Sequence, residues 1–154
     1  MAAKLRTGVR ERASGPEVAR VLLMEGDVTA RLALQAVLKA SGYHVDSAAS
    51  APEAMDKLES TQYALVLCGM RDDTREECRR VINHARAQEY RPATAYLTAS
   101  GGQLRPPKSG RLLVEPLDIP ALLTKIADLL ADRAAGRERR NMRRHRHQDL
   151  VAAN

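Results

Sequence analysis

A chain of 154 residues is one ordinary globular domain with a remainder, and is too short for two. Its net charge of +6 divides into +3 for residues 1–20, −2 for 21–132 and +5 for 133–154. A nearly neutral body therefore sits between two basic ends, and the basic balance belongs to the extensions. The longest apolar runs are far too short to cross a bilayer, which argues against membrane insertion. The N-terminal MAAKLRTGVRERASG carries charge with no apolar stretch behind it, so it does not read as a secretory signal. With no Phe, no Trp and four Tyr, the core must rest on Leu, Val, Ile, Ala and Met. Cys68 and Cys78 make no disulfide framework and suggest a reducing, cytoplasmic setting.

In chain order, Val21–Met24, Ala64–Cys68, Ala93–Leu97 and Leu112–Val114 are short, almost continuously apolar runs. Strands covered by helices on both faces read this way, because neither face can be polar. Tyr43–Asp46 alternates instead, as an edge strand with one wet face would. Between these runs the period becomes helical. Leu34, Val37 and Leu38 share a face, with Gly42 as the stop. Ser50 and Glu53 form an S-x-x-E start signal ahead of Ala54, Met55 and Leu58. Thr74 and Glu77 repeat the signal ahead of Cys78, Val81, Ile82 and Ala85. Asp118 can cap the last helix, with Pro120 in its first turn and Leu122, Leu123, Ile126, Leu129 and Leu130 facing inward. The alternation calls for a parallel sheet with helices on both faces. Between Ala93–Leu97 and Leu112–Val114 no helical pattern appears, and Gly101-Gly102 and Pro106-Pro107 mark a loop.

Chemistry in open parallel sheets sits in the loops at the carboxyl ends of the strands. Those loops carry Glu25-Gly26-Asp27, Gly69-Met70-Arg71, Thr98-Ala99-Ser100 and Glu115-Pro116-Leu117. The segments VLLMEGD (21–27), SGYHVDSAASAPEAMDKL (41–58), YALVLCGM (63–70), LTAS (97–100) and LVEPLD (113–118) closely resemble the receiver domain of response regulators, the CheY-like family. The resemblance covers roughly residues 19–132. It implies a flavodoxin-like α/β three-layer sandwich, with a five-stranded parallel sheet in the order 2-1-3-4-5, from which this sequence departs in a fourth helix that is short or missing. The expected organisation is a basic extension over 1–18, a receiver-like domain over 19–132 and an Arg-rich tail over 133–154.

The family phosphorylates an aspartate after the third strand. An acidic pair after the first strand holds Mg²⁺, a Thr or Ser after the fourth contacts the phosphoryl group, and a Lys after the fifth pairs with it. A carboxylate attacking a dianionic phosphoryl group needs such cations to offset the charge. Here the acceptor position is Gly69, the acidic pair is Glu25 and Gly26 with Asp27 one step on, and the lysine position is Glu115, followed by Pro116. Only Thr98 matches its role, and the aromatic position before the lysine is Leu112. The pocket therefore reads as degenerate, with no catalytic residue, no metal and no cofactor expected.

The remaining polar groups have two readings each. Asp72 and Asp73 either replace the missing aspartate or begin a helix, where carboxylates suit exposed N–H groups. Glu115 either shares a metal with Glu25 or bonds Thr98, nearby amides or Arg71. Cys68 and Cys78 read as packed small residues, with no activating neighbour in sequence. Loss of the fourth helix would open a partner surface near Leu112, Leu117 and Leu122, or be a trimmed loop only. The tail carries Arg137, Arg139, Arg140, Arg143, Arg144 and Arg146 with no apolar stripe and no aromatics to stack on bases. It is either a solvated, partly disordered tail or a site for nucleic acid or an acidic protein.

The function expected from the sequence is a phosphorylation-independent, receiver-like regulatory module, not an enzyme. It would act through contacts with a protein partner or as a homodimer. The alternative is a nucleic-acid-associated regulator that binds through the Arg-rich tail. No output domain is expected in the 22 residues after 132.

Overall fold

A computed structural model describes residues 18–98, 111–114 and 119–153. Five parallel strands form one sheet: β1 (Arg20–Met24), β2 (His44–Ala48), β3 (Leu65–Gly69), β4 (Ala93–Thr98) and β5 (Arg111–Val114), side by side in the order β2-β1-β3-β4-β5. Among the described residues four helices accompany them: α1 (Val28–Ala40), α2 (Ala51–Ser60), α3 (Arg75–Arg86) and α4 (Ile119–Ala153). A single 3₁₀ turn over Asp72–Thr74 precedes α3.

Each strand alternates its side chains between two faces, and both faces are apolar. Leu22, Met24, Val66, Cys68 and Tyr96 pack against α2 and α3 through Ala54, Leu58, Cys78, Val81 and Ile82. Val21, Leu23, Leu65, Leu67, Ala95 and Leu97 pack against α1 and α4 through Leu34, Leu38, Leu122, Ile126 and Leu129. The continuous apolar runs of the sequence follow from this double coverage. β2 is the exception: its pattern has exposed His44 and half-buried Asp46 and Ser47, as expected at an edge.

Helix ends follow local chemistry. The Asp27 carboxylate accepts the Ala30 amide at 2.8 Å and caps α1. Gly42 takes φ = +97° just past the end of α1, a left-handed conformation open to glycine at little cost. Ser50 caps α2, and Glu53 reaches back to the Ala49 amide at 3.0 Å, one residue before the cap. Thr74 departs from the expected capping signal. Its hydroxyl accepts the Arg71 amide at 2.9 Å and closes the 3₁₀ turn instead of capping α3.

Two expectations require correction. The boundary after Asp132 is no structural break, because α4 runs unbroken for 35 residues through Ala153. Arg, Ala, Met, Glu and Gln are good helix formers, and a lone glycine, Gly136, does not stop the helix. Leu122, expected at a partner surface, is 1% exposed and belongs to the core beneath β4. The extension over 1–17, the loop expected to replace the fourth helix, Leu117 and Asp118 lie outside the described residues, as does the side chain of Leu112.

Candidate functional site: a filled pocket at the carboxyl edge

The carboxyl ends of β1, β3 and β4 bring Glu25, Gly69 and Thr98 to one edge of the sheet. Met24 is in register with Cys68, and Gly69 with Leu97. Glu25 and Thr98 are the buried polar residues of the described chain, at 7% and 1% exposure. Glu25 follows β1 directly, and its amide donates to the Ala48 carbonyl at 2.9 Å, so the backbone holds it at the end of the sheet. Its own carbonyl accepts from Arg31 at 2.8 Å.

The Glu25 side chain lies over Gly69. An ideal Cβ on Gly69 would stand 2.7 Å from Glu25 Cδ and 3.1 Å from Oε2, well inside contact distance. The carboxylate thus occupies the space where a side chain at position 69 would begin. Glu25 Oε2 accepts the Asp27 amide at 3.1 Å and faces Arg71 Nη2 at 3.9 Å. The same guanidinium lies 3.9 Å from Asp73 through Nε, and 3.6 Å from an ideal Cβ on Gly26. Arg71 therefore stands between the two positions that the resemblance assigns to the acidic pair, and supplies a positive charge there.

This donor set does not fit a resident Mg²⁺. A divalent cation needs several carboxylate or carbonyl oxygens, but the Asp27 carboxylate is turned to the Ala30 amide and Glu25 is engaged by Asp27 and Arg71. Gly26 contributes no side chain. Glu115 and Pro116 lie outside the described residues, and so does any contact between Glu115 and Thr98. Asp73 is exposed and paired loosely with Arg71, and the 3₁₀ turn places Asp72 and Asp73 just ahead of α3.

Sequence reasoning offered Arg71 to Glu115, whereas the structure joins it to Glu25. The missing signal was the combination of Gly69 with a glutamate one residue after β1. A glycine leaves a void, and a side chain one methylene longer than aspartate can reach into it. Beneath the pocket, the Cys78 thiol donates to the Gly69 carbonyl at 3.2 Å. Contact with the Cys78 sulfur, together with complete burial, pushes the Cys68 thiol well up. The same contact draws the Cys78 thiol down, but both sulfurs are fully buried and out of reach of a substrate.

The strand order β2-β1-β3-β4-β5, with helices on both faces, defines a flavodoxin-like α/β module. No family model and no curated protein matches the sequence. Solved structures match in shape. A CheY-like response regulator receiver domain protein from Methanospirillum hungatei superposes with a TM-score of 0.61 at 19% identity, covering 78% of this chain and 99% of its own. The receiver domain of the sensor histidine kinase PA1611 from Pseudomonas aeruginosa, solved with magnesium in its active-site cleft, gives 0.61 at 23% identity over 75% of this chain and 99% of its own. The pseudo-receiver domain of the CikA protein gives 0.55 at 24% identity, over 73% and 97%. The chain therefore has the receiver fold.

Proposed function

We propose that the chain is a receiver-like regulatory module that works without aspartyl phosphorylation, by contact with a protein partner, and that it is not an enzyme. The observation that carries this reading is the Glu25 carboxylate seated over Gly69 and braced by Arg71. The acceptor position has no nucleophile. Its space is filled by a carboxylate that would repel a phosphoryl group, and the cation beside it is a guanidinium paired with that carboxylate. The likeness to a pseudo-receiver domain supports the same reading. Two buried, unlinked cysteines suit a reducing compartment, and we place the protein in the cytoplasm. No helix among the described residues is long and apolar enough to cross a membrane.

The test is exposure to acetyl phosphate, or to beryllium fluoride with Mg²⁺, followed by intact mass and amide NMR. The expected outcome is an unchanged mass and no shifts at Gly26, Gly69 or Thr98. A phosphoryl adduct or a coherent set of shifts around that pocket would overturn the reading.

A further inference from the structure

At the opposite edge of the sheet, α4 leaves the body and continues into solvent. Leu122, Ile126 and Leu129 mark its inward face. Spacings of three and four residues carry the same face onward through Arg133, Arg137, Arg140, Arg144 and His147. The core stripe thus becomes an arginine stripe where the helix passes the end of the sheet.

Arg133 fixes the exit. Its guanidinium donates to the carbonyls of Arg91, at 3.0 Å through Nε, and Tyr90, at 2.9 Å through Nη2. Arg91 holds φ = +43°, a left-handed turn that is uncommon for a residue with a side chain. The turn before β4 and the overhanging helix enclose a cavity of about 160 Å³ lined by Glu89, Tyr90, Arg137, Arg140, Asn141 and Arg144. Three guanidinium groups there face one carboxylate. Burial, together with Arg137 and Arg140, pulls the Arg133 pKa down, as expected where cations crowd at a partly desolvated surface. Among the described residues no ion pair involves Arg137, Arg140 or Arg144.

We infer that this overhang is a binding site for the phosphate backbone of duplex nucleic acid, gripped between the Arg137–Arg140–Arg144 stripe and the turn at Glu89–Tyr90. The inference stands apart from the phosphorylation-independent reading of the other edge. A duplex is the partner that the chemistry favours. It presents a dense line of phosphates, and arginine forks bind phosphates bidentately. From Asn141 to Val151 the helix is exposed throughout, with Met142, Leu150 and Val151 as its large apolar residues. Those three are too widely spaced to form a stripe for a protein groove. No Phe, Tyr or Trp lies in α4 to stack on unpaired bases, and the Tyr90 hydroxyl is engaged with the Leu58 carbonyl at 2.9 Å.

The experiment uses the full chain and a short mixed-sequence DNA duplex, with binding followed by fluorescence anisotropy over a range of NaCl concentrations. Two triple variants remove equal charge: Arg137→Gln/Arg140→Gln/Arg144→Gln on the stripe, and Arg139→Gln/Arg143→Gln/Arg146→Gln on the neighbouring face. Circular dichroism and thermal melting confirm that each is folded and helical. The wild type should bind with an affinity that falls steeply with salt. The stripe variant should lose at least about tenfold more affinity than its neighbour, with a smaller salt slope, since each lost phosphate contact removes about 0.9 from the slope. Glu89→Gln should tighten binding by removing the carboxylate that faces the cavity. Equal losses in the two triple variants would overturn the site. Absence of duplex binding at low salt, or tighter binding of polyglutamate than of the duplex, would overturn the ligand.

Discussion

At the scale of single residues, the pocket at the carboxyl edge is decided by one absent side chain. With no Cβ at position 69, the Glu25 carboxylate can lie across the strand end, and any larger residue must push it away. Gly69→Ala should therefore destabilise the fold by about 1 to 2 kcal/mol, because a nine-tenths-buried carboxylate must give up its bond from the Asp27 amide. In a Glu25→Ala background the same substitution should cost about 1 kcal/mol less, a coupling that a double-mutant cycle in urea reads directly. Additive costs would show that Glu25 does not fill the space over Gly69. Gly69→Asp is expected to fare worse at neutral pH, since it sets a second carboxylate against the first. Position 26 is different. A Cβ there meets nothing closer than 3.6 Å, so Gly26→Ala should be nearly neutral.

At the scale of elements, α4 is two helices in one. Its first half is held by Leu122, Ile126 and Leu129 in the core, and Ile126→Ala should cost about 2 to 5 kcal/mol through the cavity it leaves. From Asn141 to Val151 it is exposed throughout, and like charges stand four residues apart at Arg139/Arg143 and Arg140/Arg144. Hydrogen exchange should show protected amides through about Arg133 and rapid exchange beyond Arg140. Gly136 lies at the junction. A Cβ there makes ordinary contact, at 3.5 Å from Arg140 Nη1, so Gly136→Ala should add about 0.5 to 1 kcal/mol of helix stability and slow exchange in the outer turns. Unchanged exchange beyond Arg140 would mean that the junction does not limit helicity there.

For the whole molecule, tyrosine burial sets the alkaline limit. Burial raises the pKa of Tyr63, Tyr90 and Tyr96, and the hydrogen bond from Tyr63 to Asp46, at 2.8 Å, raises Tyr63 further. Each phenol holds its proton more tightly in the folded chain than in the unfolded one. Stability is thus undiminished below the ordinary tyrosine value of about 10 and falls as the pH rises beyond it. An alkaline titration should show tyrosinate absorbance from these three residues appearing together with loss of far-ultraviolet dichroism. Ionisation of all four tyrosines while the helices persist would contradict this.

Periodicity alone determined that strands alternate with helices, because a doubly covered sheet leaves a continuous apolar run wherever a strand lies. That position 69 offers no nucleophile was equally legible, since glycine has no side chain in any fold. Tertiary structure decided which charges meet. The pairing of Glu25 with Arg71 depends on two loops converging at the sheet's edge, and their separation in sequence does not encode that approach. Leu122 showed a similar limit: periodicity placed it on an apolar face, but only packing beneath β4 distinguished core from partner surface. The Arg-rich end likewise read as a tail because it lacks an apolar stripe. Its register as a helix is set by the core stripe before it and by two backbone carbonyls at Tyr90 and Arg91, more than forty residues away in sequence.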